Sequence, residues 1–353
     1  MKKYYFIITI GCQMNKSDSE RIAGLLEKKG WESTDNIKQA NLAVVNTCGV
    51  RQSAEDRVYG LIPRIKDSNP KIKIIITGCL SERQDVKKRL GDWVDVWIPT
   101  SKISDLRFKI LDFLTKKDGK LIKQDYLKIK PKFSSKISAF VPIGNGCNNF
   151  CAYCVVPYAR GREVYRPADE IINEVKALVK KGYKEIILIA QNVNSYKFQI
   201  PNSKFQINSK SKNQNSKQYI NFPRLLQLVN DIFGDFWIRF ATSHPKDMSD
   251  ELIKTIVKCE KVCEHIHLPV QAGDDKVLKE MNRGYSVKHY YRLIDKIRKV
   301  DKFQITNSKF QINPKFKIQN PKIFFSNVSI TTDVIVGFPG ETKEQFNNTK
   351  KLF

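Results

Sequence analysis

Residues 138–154 read Ser-Ala-Phe-Val-Pro-Ile-Gly-Asn-Gly-Cys-Asn-Asn-Phe-Cys-Ala-Tyr-Cys. The apolar opening predicts a strand over 138–143, and Gly144-Asn145-Gly146 predicts the loop that ends it. That loop carries Cys147, Cys151 and Cys154 in the spacing Cys-x-x-x-Cys-x-x-Cys. Three thiolates so close in the chain suit three irons of a cubane cluster, because thiolate is the ligand iron–sulfur clusters are built on. With no fourth cysteine in the loop, one iron stays open to a chelate, and the amino and carboxylate groups of S-adenosylmethionine (SAM) form one. Zinc is the competing reading, although three ligands plus an open position suit a closed tetrahedral site less well.

Working downstream, strands are predicted over 185–190, 237–241, 265–270 and 329–337, with helices between them. Together with 138–143 they make five βα units of a barrel-like sheet. Barrel active sites collect at the carboxyl ends of the strands, which is where the cysteine loop falls.

Upstream, strands over 4–10, 42–46, 72–77 and 94–99 alternate with helices over 17–29, 54–66, 82–90 and 103–116, again a parallel α/β pattern. Residues 117–135 are polar and irregular and read as a connection. The expected organisation is therefore α/β throughout: an N-terminal parallel-sheet domain over 1–116, a linker over 117–135, and a partial (β/α) barrel over 136–353.

A second cysteine pattern lies in the first half. Cys12, Cys48 and Cys79 each follow a predicted strand, at intervals of 36 and 31 residues. Strand ends of an open α/β sheet share one edge, where ligands bind, so three thiols far apart in the chain are expected to converge. Gly11, Gly49 and Gly78 stand beside them, permitting tight turns and close backbone approach. Three unrelated buried cysteines is the plain alternative.

The bulk properties bound the rest. A chain of 353 residues exceeds what one core usually serves, so two domains are the default. The hydrophobic fraction is 41%, and no apolar run approaches the roughly 18 residues of a membrane span. Residues 1–12 only faintly resemble an export signal: the apolar stretch is short and lacks a small-x-small cleavage site. A cytoplasmic chain is expected, where eight cysteines serve as ligands or core rather than as disulfides.

The formal charge of +26 points to a polyanionic partner. Part of it is local. Residues 197–208 and 302–313 carry nearly identical text, and the extended segments 197–218 and 302–322 hold five lysines and no acid each. They account for +10 of the charge and leave +16 elsewhere. Their Asn/Gln/Ser/Lys composition reads as inserted surface loops; a short β-hairpin and a tRNA-gripping arm stay open as alternatives.

Arg160, Arg162 and Arg166 interleave with Tyr158 and Tyr165 just after the cysteine loop, a mixture suited to phosphate contacts and base stacking, or simply to a solvated basic loop. Cys259 and Cys263 precede His265 and His267 and invite a zinc reading. A helix end running straight into a strand would split those four between faces. Gly337 opens Gly-Phe-Pro-Gly-Glu between a strand and a helix, a weak phosphate motif.

The runs CNNFCAYCVVPYARGRE (147–163), AQNVNSY (190–196), FATSHPKDMSDELI (240–253), HIHLPVQAGDDKVLKEMNRGY (265–285) and TTDVIVGFPGET (331–342) resemble the radical SAM methylthiotransferase family. AQNVNSY and TSHPKD are similar to the tRNA-modifying branch, the MiaB type. The resemblance covers nearly all of the chain outside the two repeats. It implies two 4Fe-4S clusters, one on Cys147, Cys151 and Cys154 and an auxiliary one on Cys12, Cys48 and Cys79. It also implies Tyr153 against the SAM adenine, with Ser243, Gln271 and Gly337 on the SAM-facing rim.

The activity implied is methylthiolation of carbon 2 of an isopentenylated adenosine beside the tRNA anticodon, one cluster serving radical generation with SAM and the other sulfur delivery. Implied partners are the tRNA anticodon stem-loop, an electron donor such as flavodoxin or ferredoxin, and a sulfur donor, with the chain a monomer. Methylthiolation of threonylcarbamoyl-adenosine or of a ribosomal protein is the related alternative. An inactive iron–sulfur fragment that binds RNA is the unrelated one, because the family pattern continues beyond Phe353 with a sixth strand and a TRAM domain. Their absence here predicts an exposed sheet edge and weaker tRNA binding.

Overall fold

The computed structural model describes residues 2–50, 52–100, 126–199, 219–299 and 328–353. The chain divides into two compact units: Met1–Lys136 with Asn145–Val164, and Ile137–Gly144 with Tyr165–Phe353. The cysteine loop is grouped with the first unit although its supporting strand belongs to the second.

In the first unit a five-stranded sheet is built from β1 (Lys3–Ile10), β2 (Trp31–Ser33), β3 (Leu42–Thr47), β4 (Lys73–Gly78) and β5 (Val96–Ile98), in the order β2-β1-β3-β4-β5. Every pairing in it is parallel. The short edge strand β2 was not legible in the sequence, since three residues carry no periodicity. Central strands of a parallel sheet are covered on both faces and so read as unbroken apolar runs, as residues 42–45 do before the buried polar pair Asn46 and Thr47. Alternate side chains divide between two cores. Val45, Ile74 and Ile76 pack with Val58 and Ile62 of α2 (Gln52–Ser68), while Val44 and Ile75 pack with Ile22 and Leu26 of α1 (Gln13–Lys28).

Two sequence expectations are corrected here. Helix α1 begins at Gln13 rather than Ser17, because Cys12 takes the N-cap position and Asn15 Oδ1 accepts its amide at 3.2 Å. Ser17 instead accepts from Arg21 at 2.8 Å inside the helix. The second half of the supposed linker is core: Leu127 and Ile129 are buried with Ile22 and Leu26. Glu20 holds Ser134 through its amide at 2.9 Å and its hydroxyl at 2.7 Å. The predicted helix over 103–116 lies outside the described residues. The predicted helix over 82–90 is a single 3-10 turn, Cys79–Glu82, followed by α3 (Gln84–Leu90).

In the second unit strands stand at the five expected places, but the last two are three residues long where 265–270 and 329–337 were expected, and the five fall into two separate sheets rather than one barrel-like sheet. Strands β6 (Ser138–Pro142), β7 (Glu185–Ile189) and, after the strand pair described next, β10 (Trp237–Phe240) form a parallel sheet in the order β10-β7-β6. Between them Lys197–Gln199 pairs antiparallel with Tyr219–Asn221 as β8 and β9, while residues 200–218 of the first repeat lie outside the described residues. Strands β11 (His265–His267) and β12 (Ser329–Thr331) pair parallel. The second repeat, 302–322, lies outside the described residues. No helix among the described residues is long and apolar enough to cross a membrane.

Candidate metal centre

Each cysteine of the first-half triad is delivered by one strand end. Cys12 lies two residues past β1, Cys48 directly past β3 and Cys79 directly past β4, and these three strands are adjacent in the sheet. The glycines beside them are demanded sterically. A Cβ on Gly11 would meet Asn15 Oδ1 at 2.3 Å, one on Gly49 the Cys79 carbonyl oxygen at 2.8 Å, and one on Gly78, whose φ is +93°, the Thr47 carbonyl oxygen at 2.1 Å. The loop of Cys48 is thus pressed onto the turn of Cys79.

Local hydrogen bonds hold the thiols in place. Cys12 Sγ donates to Asn15 Oδ1 at 3.3 Å, and the Val50 amide donates to Cys48 Sγ at 3.3 Å. Cys12 also heads a helix of 16 residues, whose N-terminal dipole favours negative charge on the sulfur and on anything bound to it. Burial pushes the Cys79 thiol above its ordinary value, the Arg160 guanidinium pulls it back by charge and hydrogen bond, and Cys48 and Cys12 raise it further as neighbouring thiols. The triad therefore converges, as the strand arithmetic predicted.

The second triad sits in a loop that braces itself. Gly146, at φ +86°, admits the Arg162 carbonyl oxygen where a Cβ would clash at 2.1 Å. The Cys147 amide donates to Gly161 O at 3.1 Å, and the Cys154 amide to Cys151 O at 2.9 Å. Phe150 stands edge-on to Tyr158 at 6.0 Å, with the Arg162 guanidinium 4.4 Å above its ring. Burial first, then the charge of Cys151, Cys147 and Cys79, pushes the Cys154 thiol up to about 11. The two triads are thus close enough for Cys79 to act on Cys154.

A pocket that raises thiol pKa values holds thiolates only when a cation joins them. Six thiols, three of them buried and two pushed upward in addition to Cys79, are a donor set fit for iron–sulfur clusters. No disulfide joins any of the eight cysteines. Among the described residues no group of three or more His, Cys, Asp and Glu side chains is placed to hold a single metal ion.

The arginines expected to grip RNA are largely otherwise engaged. Arg160 is buried, its Nη2 2.6 Å from Asp18 Oδ2 with the two side chains 2% and 0% exposed. Arg166 is buried too, donating to Pro142 O at 2.8 Å and pairing with Glu174 at 2.6 Å. A buried guanidinium requires such partners, so neither side chain is offered to a phosphate. Arg162 is exposed and Tyr158 is 75% exposed.

The remaining candidates lie in the second unit. Ser243 is buried just beyond β10, its Oγ without a hydrogen-bond partner. Gln271 follows β11 with a strained φ of +69°, and its amide donates to Asp333 O at 2.9 Å. The Gly337 amide donates to Glu341 Oε2 at 2.6 Å. Tyr153, in the first unit, is half-buried. His265 Nε2 and His267 Nδ1 both lie within hydrogen-bond distance of Thr331 Oγ1, at 2.9 and 3.0 Å, and Cys259 caps the end of the helix Asp250–Lys258.

Sequence reasoning missed Asp18, Asn15 and Asn46. Asp18 and Asn46 are polar residues inside a predicted helix and strand, Asn15 fell just before the predicted helix, and only their neighbours in space reveal their role.

Comparison with known proteins places these features. Residues 4–98 match the model described as uncharacterized protein family UPF0004, and residues 141–353 match the radical SAM superfamily. The chain is 42% identical over 360 residues to the tRNA-2-methylthio-N(6)-dimethylallyladenosine synthase of Thermoanaerobacter pseudethanolicus, covering 99% of this chain and 68% of that one. It is 41% identical to the synthase of the same name from Syntrophomonas wolfei, covering 98% and 71%. Among solved structures, the radical SAM methyltransferase TsrM of Kitasatospora setae superposes with a TM-score of 0.62 at 12% identity, covering 99% of this chain and 71% of that one. That likeness speaks to the fold.

Proposed function

The chain belongs to the radical SAM family of tRNA-2-methylthio-N(6)-dimethylallyladenosine synthases, and from that premise we propose that it methylthiolates carbon 2 of an isopentenylated adenosine in tRNA, using SAM and two 4Fe-4S clusters. The observation that carries this reading is the convergence of two cysteine triads in one compact unit, with Cys79 near enough to Cys154 to raise its pKa.

Cys147, Cys151 and Cys154 would hold the cluster that leaves one iron for SAM, and Cys12, Cys48 and Cys79 would hold the auxiliary cluster. When bound, these groups supply one-electron cleavage of SAM and a sulfur source, chemistry that no side chain provides.

The protein's part is placement and seclusion. The Gly146 turn and the backbone hydrogen bond from the Cys154 amide to the Cys151 carbonyl shape the loop that carries three sulfurs, while Asn15 and the Val50 amide hold two sulfurs of the other triad. The loop's open ligand position is what allows a chelating cofactor to enter. Tyr153 is assigned to the SAM adenine, and Ser243, Gln271 and Gly337 to the rest of SAM. Arg162 and Tyr158, exposed beside the loop, are assigned to the anticodon loop, through phosphate contact and base stacking. A flavodoxin- or ferredoxin-type electron donor, a sulfur donor, a monomeric state and a cytoplasmic location complete the proposal.

The test is mass spectrometry of nucleosides from tRNA incubated with anaerobically reconstituted protein, SAM and dithionite. The expected product is the 2-methylthio derivative of isopentenyladenosine. Methylthiolated threonylcarbamoyl-adenosine would reassign the substrate, and 5′-deoxyadenosine without any methylthiolated nucleoside would overturn the transfer reading.

A further inference from the structure

Arg160 reaches from the cysteine loop's own helix toward the other triad. It ends α4 (Val156–Arg160), which begins two residues after Cys154 and packs against the turn carrying Cys79. The helix is pinned from the far side by Thr100, whose hydroxyl donates to Ala159 O at 2.9 Å. Arg160 Nη1 donates to Asn145 at 3.1 Å and Nη2 to Asp18 at 2.6 Å, and the guanidinium also hydrogen-bonds Cys79.

Burying an ion pair as completely as this one costs several kcal/mol of desolvation and is weak evidence of a stabilising role. Its position suggests another use. A 4Fe-4S cluster held by three thiolates carries net negative charge in both its common oxidation states, and reduction adds one more electron to a dry site. Charge and hydrogen bonds at the sulfurs are what set such a potential.

We propose that Arg160 is a positioning residue that tunes the auxiliary cluster, holding a fixed positive charge against the Cys79 sulfur and raising that cluster's reduction potential, with Asp18 setting how much of the charge is felt. This rests on the assignment of a cluster to Cys12, Cys48 and Cys79.

The experiment uses the full chain with Cys147, Cys151 and Cys154 replaced by alanine, so that the auxiliary cluster alone gives the electron paramagnetic resonance signal, read against a series of poised potentials. Arg160→Met should lower the potential, making reduction at least tenfold less favourable, or 59 mV for one electron. Asp18→Asn, which removes the counter-charge, should shift it the opposite way. A purely structural pair would not give shifts of opposite sign. If Arg160→Met takes up no cluster, Arg160→Lys, which keeps the charge, should take it up with a potential near that of the parent. Unchanged potentials in Arg160→Met and Asp18→Asn, or failure of Arg160→Lys to restore the cluster, would overturn the proposal. Absence of any cluster in the parent triple variant would instead refute the underlying assignment.

Discussion

The side chains of Asn15 and Asn46, both fully buried, lock two of the three cysteine-bearing loops together. Asn15 Nδ2 donates to Asn46 Oδ1 at 2.9 Å, and Asn46 Nδ2 donates back to Asn15 O at 2.8 Å and to Ser19 Oγ at 3.0 Å. Because Asn15 Oδ1 also takes the Cys12 amide and thiol, Asn46→Ala leaves a buried amide unsatisfied within reach of a proposed ligand. The expected cost is about 1–3 kcal/mol in urea unfolding of the apo chain, with reduced iron uptake at the first triad. A variant with parent stability and full iron would contradict this role.

Gly78 presents the sharpest steric requirement. Its φ of +93° and the Thr47 carbonyl 2.1 Å from where a Cβ would stand leave alanine no place. Gly78→Ala should strain the backbone by about 1–3 kcal/mol and displace Cys79. The measurement is thermal unfolding together with iron per chain, and the loss should fall on the auxiliary cluster while SAM cleavage survives.

Separate triads imply separable functions. Replacing Cys12, Cys48 and Cys79 by alanine should leave dithionite-driven release of 5′-deoxyadenosine from SAM but abolish the methylthiolated nucleoside. Replacing Cys147, Cys151 and Cys154 should abolish both. Chromatographic assay of deoxyadenosine checks this directly, and its persistence in the second variant would sink the assignment of the loop.

His244 supplies a pH dependence of stability. Burial, followed by Arg283 and Lys246, depresses its pKa from 6.5 to about 3. Its Nδ1 accepts the Lys246 amide at 3.2 Å, which requires the neutral ring. Between those two pKa values the unfolded chain binds a proton that the native chain refuses. The associated stability is whole above pH 6.5 and is lost as pH falls below it, by about 1.4 kcal/mol per pH unit. Urea unfolding of the apo chain at pH 7.5 and 5.5 should show a difference about 1.4 kcal/mol smaller in His244→Gln than in the parent. An equal difference in both would show that His244 does not carry it.

Much of the site was legible because its logic is periodic. A cysteine after each of three parallel strands has only one edge on which to appear, and Cys12, Cys48 and Cys79 appear there. The local spacing of Cys147, Cys151 and Cys154 was equally readable. What spacing does not encode is which charge lies beside which. Arg160 and Arg166 looked like RNA contacts because basic residues near aromatics usually face water, yet each is buried with a carboxylate, Asp18 from far upstream in one case and Glu174 from the following helix in the other. Residues 126–135 looked like a linker because their burial depends on Gly24, whose missing Cβ leaves room for the Lys130 carbonyl 2.2 Å away from that position.

The central claim is that two thiol triads in one unit each hold a cubane. Iron and acid-labile sulfide per chain in the anaerobically reconstituted wild-type protein measure it most directly. About eight irons and eight sulfides per chain are predicted, as two four-iron clusters require. A value that saturates at about four, with Cys12, Cys48 and Cys79 still open to alkylation, would contradict it.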